Sequence, residues 1–236
     1  MDLGLTGRVA IVTAASKGLG RATAQALAAE GARVLLNARS KADLDELAAT
    51  FDDALVMPGD ITDPALPAQL VSAAVDHWGR LDVVVGNAGG PPAGAALDID
   101  DQQILDAVNA NLLASIRLAR AAVPHMRQQR WGRIVFIASS TVREPSRDLV
   151  LSNVARTGLW AWTKTAAQDL AEEGITVNIA APGSHATDRL LALGSAGRAG
   201  DPADFGKVVA FLCSEPANFV SGIAMGVDGG TVAGLL

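Results

Sequence analysis

The chain contains no tyrosine, one cysteine, three histidines and only 4% aromatic residues. Without tyrosine there is no phenol, the side chain whose pKa near 10 a neighbouring cation can tune for proton transfer. A single cysteine, Cys213, excludes an internal disulfide and a cysteine-based zinc site. It lies in the apolar stretch Val208 to Cys213, which gives it the role of a small core residue. Apolar runs of membrane-spanning length are also missing, because glycine, proline or charge interrupts each one. The net charge is −6 without a long run of either sign, which argues against a nucleic-acid groove built on clustered Lys and Arg. Met1 to Arg8 show no basic segment followed by an apolar core, so the expected location is cytoplasmic.

What the chain does have is apolar residues, half of its 236 positions, enough for a sizeable core in one α/β domain over 1–236. Strand-like runs fall at Val9–Ala14, Arg33–Asn37, Ala54–Pro58, Val83–Gly86, Arg133–Ala138, Thr176–Ala180 and Ile223–Val227. Helical patterns fill the intervals at 18–30, 41–50, 64–78, 100–128, 149–172 and 202–214. This alternation predicts a Rossmann-type, doubly wound sheet of seven parallel strands with helices on both faces. Short unbroken runs such as Val83-Val84-Val85 fit strands covered on both sides.

The first strand runs into Thr13-Ala14-Ala15-Ser16-Lys17-Gly18-Leu19-Gly20 and then a helix. Glycines there let the backbone approach a pyrophosphate, and the helix start supplies unpaired N–H groups. A plain tight turn would use glycine too, but the position between first strand and first helix is the one the phosphate-binding mechanism requires. The second strand ends Asn37-Ala38-Arg39-Ser40, without the acidic residue that usually accepts a ribose 2′-hydroxyl. Arg39 and Lys17 together suit a 2′-phosphate, hence NADP(H) over NAD(H); either alone reads equally as a solvated surface charge.

These segments resemble the short-chain dehydrogenase/reductase family. The glycine-rich turn is similar to Thr-Gly-x-x-x-Gly-x-Gly, with Ala14 at the first glycine, a change that adds one methyl group. Asp60-Ile61, Asn87-Ala88-Gly89, Pro182-Gly183 with Thr187, and Val227-Asp228-Gly229-Gly230 follow in the family's order. The resemblance implies an adenine contact at Asp60-Ile61, cofactor lining at Asn87-Ala88-Gly89, and the nicotinamide end at Pro182, Gly183 and Thr187. It also implies a homotetramer or homodimer built through the helices at 100–128 and 149–172.

The family's catalytic group is an Asn, a Ser, a Tyr and a Lys. Asn111 fits the first position and Ser139, closing the fifth strand, fits the second. The tyrosine position, thirteen residues after Ser139, is Ser152, and the lysine position four further on is Arg156. The segment Ser152-Asn153-Val154-Ala155-Arg156-Thr157-Gly158 matches Tyr-x-x-x-Lys-Ala-Gly in the same register. The chain therefore resembles a divergent branch, similar to β-ketoacyl-carrier-protein reductases but changed at two catalytic positions. A serine hydroxyl is a far weaker acid than a phenol and needs a partner to move its proton. Arg156 stays protonated, though it can grip a ribose, a phosphate or an anionic substrate.

Two residues stand as replacement acids. Glu144 lies in the loop between Ser139 and Ser152, and reads either as an acid of raised pKa or as a solvated loop carboxylate. His185 follows Pro182-Gly183-Ser184 and reads either as an acid/base near the nicotinamide or as a donor to backbone. The lid is short: Thr187 reaches Arg198-Ala199-Gly200-Asp201-Pro202 in eleven positions, which shortens the segment around 188–200 that covers the substrate in relatives. The expected activity is an NADP(H)-dependent carbonyl reductase with a non-standard proton donor, acting on a small molecule. The alternatives are a redox-neutral enzyme (elimination, isomerisation or cyclisation) or a silent NADP(H)-binding protein.

Overall fold

The seven apolar runs become seven parallel strands in the order β3-β2-β1-β4-β5-β6-β7. The computed structural model describes residues 1–192 and 198–234. The strands are β1 Val9–Val12, β2 Arg33–Leu36, β3 Ala54–Val56, β4 Val83–Gly86, β5 Gly132–Ile137, β6 Ile175–Pro182 and β7 Ala224–Val227. The central strands β1, β4, β5 and β6 are buried throughout, which is why β1 and β4 are continuous apolar runs rather than alternating ones.

The helices are α1 Gly18–Ala29, α2 Lys41–Ala48, α3 Leu66–Trp78, α4 Asp101–Val108, α5 Ala114–Gln129, α6 Val150–Asp169, α7 Asp188–Ala192 and α8 Pro202–Leu212. One core packs α3, α5 and α6 on one sheet face through Leu70, Leu118, Met126, Leu159 and Phe136. The other packs α1, α2 and α8 on the opposite face through Leu27, Leu44, Phe205 and Val209. Each such fully buried side chain contributes roughly 1.5–3 kcal/mol of hydrophobic free energy. Cys213 sits in the second core, fully buried, and burial pushes its thiol up to about 12. Among the described residues no helix is long and apolar enough to cross a membrane.

Two expectations change in detail. The helix read at 100–128 is interrupted: Asn109–Leu113 form a turn of π-helix between α4 and α5. The segment after Thr187, read only as a short lid, contains α7; residues 193–197 of that lid lie outside the described residues. On α6, Trp160 and Trp162 are both half-buried against the first core, Trp162 with its ring 5.9 Å from that of Phe136.

Candidate functional site

In a doubly wound sheet the crevice opens where strand order reverses, here between β1 and β4 at their C-terminal ends. Thr13, just past β1, is buried and binds across this crevice: its hydroxyl donates to the Asn87 carbonyl (2.6 Å) and accepts the Asn87 N–H (2.8 Å). The glycine-rich turn is thereby fixed to Asn87-Ala88-Gly89. Gly20 is required at close range, since a Cβ there would collide with the Ala14 carbonyl and lie 2.7 Å from Asn87 Nδ2. Gly18, at φ +53°, approaches the Thr187 methyl group and so joins the turn to the segment after Pro182-Gly183. At the start of α1, Lys17 provides no side-chain cap and the first turn has no acidic residue. The N–H groups there remain available to an anion, as pyrophosphate binding needs. Ser16 and Leu19 flank this start, both half-buried.

Ala14 departs from expectation. The substitution of alanine for glycine is more than an added methyl, because Ala14 adopts φ +48°, in the left-handed region. That conformation costs an L-residue about 1–2 kcal/mol, partly offset by the lower entropy of the unfolded alanine chain. Ala14→Gly is expected to raise stability by about 0.5–1 kcal/mol, read as the urea midpoint; an unchanged or lower midpoint contradicts the strain.

The second-strand end presents Arg39, exposed, and Lys17, exposed and only 4.0 Å from Asp43. Asp60 accepts both the amide and the hydroxyl of Thr62, and these bonds, aided by the Arg39 charge, hold its carboxyl below the usual range. Arg39 and Asp60-Ile61 thus face one another across the ends of β2 and β3, where the adenosine half of a dinucleotide would lie. Asn37 braces this rim by donating to the Met57 carbonyl at 2.9 Å.

At the end of β5 the remaining expected residues converge. Ser139 Oγ accepts the Thr141 N–H at 3.2 Å, and its own O–H donates to nothing among the described residues. The π-turn places Asn111, buried, with its Oδ1 3.1 Å from Arg156 Nη2. Turns of this kind recur at functional sites because the extra residue re-aims a side chain. Arg156 also donates from Nη1 to the Ala138 carbonyl at 2.6 Å, beside Ser139. Burial above all, and the charge of Arg189 second, pull its guanidinium down to about 10, so it remains a cation at neutral pH. Ser152 is buried one turn away on α6, and its hydroxyl makes no hydrogen bond among the described residues.

The two candidate acids are engaged otherwise. Glu144 is exposed and its carboxylate accepts the Ala233 N–H at 3.0 Å, tying the loop to the C-terminal segment. His185 is buried, with Nδ1 3.2 Å from the Gly183 carbonyl and its ring edge-on to Phe205 at 5.2 Å. Its Nε2 side packs against Gly200, with which it forms a β-bridge. The backbone-donor reading of His185 is therefore the one its surroundings favour.

Arg189 was not singled out from the sequence. From α7 it donates to the Pro91 carbonyl at 2.6 Å, and a Cβ on Gly90 would lie within 3.0 Å of its Nε and Cζ. Its signal was an arginine two positions after Thr187, opposite a paired glycine; only the tertiary fold brings the two together.

Strand order, crevice and glycine-rich turn define a dinucleotide-binding α/β protein. Residues 8–196 match the short chain dehydrogenase family, and the chain belongs to it. It is similar to the 3-oxoacyl-acyl-carrier-protein reductase of Vibrio cholerae, 32% identical over 97% of this chain and 98% of the relative. Versicolorin reductase 1 of Aspergillus parasiticus is 33% identical over 96% of this chain and 97% of its own. L-Sorbose reductase from Gluconobacter frateurii, solved with NADPH and L-sorbose, superposes with a TM-score of 0.94 at 29% identity over the full length of both chains. The fold is shared also by YwfH, an NADPH-dependent reductase involved in bacilysin biosynthesis, with a TM-score of 0.92 at 24% identity over 98% of this chain and all of the other.

Proposed function

We propose that the protein is an NADP(H)-dependent reductase of carbonyl compounds in which a half-buried arginine and a serine take the places of the lysine and tyrosine. The observation that carries this reading is the joint geometry of Thr13, Asn87, Gly18 and Gly20 around an uncapped α1, with Arg39 exposed at the rim. The bound nicotinamide would supply or accept a hydride. Ser139 would donate its free O–H to the substrate oxygen, and Arg156 would keep that region positive as negative charge develops. With Glu144 and His185 engaged elsewhere, water is the proton source best supported by these contacts, delivered next to Ser152. The exposed Leu105, Leu113 and Val154 on α4, the π-turn and α6 support assembly of the chain into a dimer or tetramer through these helices.

The test is cofactor binding followed by turnover. NADPH is expected to bind at least about tenfold more tightly than NADH, and Arg39→Ala to remove most of that preference, a loss of about 1.4 kcal/mol. Titration of NADPH fluorescence measures both. Equal affinities for the two cofactors would refute the role of Arg39. Carbonyl-dependent loss of the 340 nm band then separates a reductase from a redox-neutral enzyme, which would form product without that loss.

A further inference from the structure

The end of β5 carries a fixed cation and a hydroxyl donor but no engaged acid. Arg156 is pinned at two points, by Nη1 to the Ala138 carbonyl at 2.6 Å and by Nη2 to Asn111 Oδ1 at 3.1 Å. Neutral acceptors alone do not single it out. Arg133, fully buried at the other end of the same strand, is likewise held by the carbonyls of Gly132, Gly174 and Ser214 and by Asn218 Oδ1. What distinguishes Arg156 is its place: its bonds fix the guanidinium beside Ser139, whose O–H donates to nothing among the described residues.

Proton donors are missing from that place. Arginine does not give up its proton in proteins. Ser152, one turn before Arg156 on α6, has an aliphatic hydroxyl with no hydrogen-bonded base among the described residues. Glu144 is spent on the Ala233 N–H, and His185 faces the Gly183 carbonyl, closed in by Gly200 and Phe205. Asp228, packed against Gly183, accepts the N–H groups of Gly230 and Val232, while Asp148 and Asp188 face solvent. The chemistry such a site can serve depends on how basic an oxygen it must hold. Hydride addition to a simple ketone makes an alkoxide, which needs a proton as it forms and hence a positioned acid. Hydride addition to the β-carbon of an unsaturated ketone makes an enolate, whose charge is shared between the oxygen and the α-carbon. An enolate is a far weaker base, and a preorganised cation with one hydrogen-bond donor stabilises it without protonating it.

We infer that the substrate is an α,β-unsaturated carbonyl compound and that the reaction reduces its C=C bond, with the carbonyl oxygen held as an enolate by Ser139 and Arg156. This rests on the NADP(H) reductase reading and names its substrate class. The β-carbon gains a hydride from the reduced nicotinamide, which is thereby oxidised. The C=C electron pair shifts toward the carbonyl, and the Ser139 O–H donates to the enolate oxygen. Water then gives a proton to the α-carbon, leaving hydroxide and a saturated carbonyl compound. No step takes a proton from Ser152, Glu144 or His185, and Ser139 keeps its own.

Two measurements on the full chain test this, one of binding and one of product. The first uses para-nitrophenol, whose phenolate mimics a delocalised enolate oxygen, with the visible phenolate band read against pH in the presence and absence of oxidised cofactor. The bound phenol is expected to ionise at least about tenfold more readily than the free one, and Ser139→Ala or Arg156→Met to remove that gain. No binding, or binding with unchanged ionisation, would overturn the enolate site whatever the cofactor does. The second compares benzylideneacetone with its saturated counterpart benzylacetone as oxidants of NADPH. The unsaturated ketone is expected to react about 10²-fold faster or more and to yield benzylacetone. NADPH deuterated at the hydride-giving carbon should label the β-carbon, and heavy water the α-carbon. An allylic alcohol as product, or benzylacetone reduced as fast, would overturn C=C reduction and leave the reductase reading standing. NADPH bound but oxidised by neither ketone would overturn both.

Discussion

Ser139→Ala is expected to lower kcat by about 10²–10³, the usual consequence of deleting one positioned donor to a developing oxyanion. The argument is geometric. The Thr141 N–H occupies a lone pair of Oγ, so the hydroxyl is oriented from behind and its proton is directed outward. No basic side chain bonds to it among the described residues, so it acts as a donor rather than a nucleophile. Its local structural duty is small, a cap on the three-residue turn Ser140–Val142, whose loss costs roughly 0.5–2 kcal/mol. The variant should therefore stay folded and bind NADPH normally. Steady-state NADPH consumption with the fastest carbonyl substrate of a panel is the readout. A variant retaining more than half the rate would move the oxygen-binding role away from Ser139.

Arg156→Met is expected to do two opposite things: remove about 10²-fold or more of the activity and make the protein more stable by about 1–2 kcal/mol. The stabilising part follows from a half-buried, desolvated cation that has no carboxylate partner among the described residues. The folded guanidinium sits near 10 against an ordinary value of 12.5, so folding disfavours its charged form. Below about pH 10 both folded and unfolded chains carry the charge and the folded state bears the whole penalty. As pH rises through 10 the folded protein releases the proton first, and the unsubstituted protein gains stability on the variant. The gap in unfolding free energy should be flat from pH 6 to about 9 and narrow above it. Losing the bonds to Ala138 and Asn111 works against the gain. A variant less stable than the parent at pH 7 would mean that those two bonds outweigh the desolvated charge.

The sheet was legible because its physics is local. Strands buried on both faces are dominated by apolar residues, and Val83-Val84-Val85 and Val9 to Val12 are unbroken runs of them. The cofactor end was legible for a similar reason, since close backbone approach demands glycine at Gly20 whatever surrounds it. Residues whose role depends on a distant partner were not. His185 is explained by Gly200 and Phe205, and Glu144 by Ala233, contacts that no spacing encodes. Ala14 looked like a mild substitution because the sign of φ is set by how the turn is pinned to Asn87. Arg189 went unread because its contacts, the Pro91 carbonyl and Gly90, lie on another loop.

The π-turn at Asn109–Leu113 bears on how this site came to be accommodated in a helix that also serves the core. Such a turn holds one residue more than an α turn while the backbone ladder continues on either side. Downstream, Ala114, Leu118, Ala122 and Met126 keep the regular spacing that faces the sheet. Upstream, Asp100 closes a capping box on α4 with Gln103. Asn111 is in effect carried as a surplus residue between two complete helical segments. The buried position it occupies is therefore set by its bond to Arg156, while the flanking helical segments answer to the core.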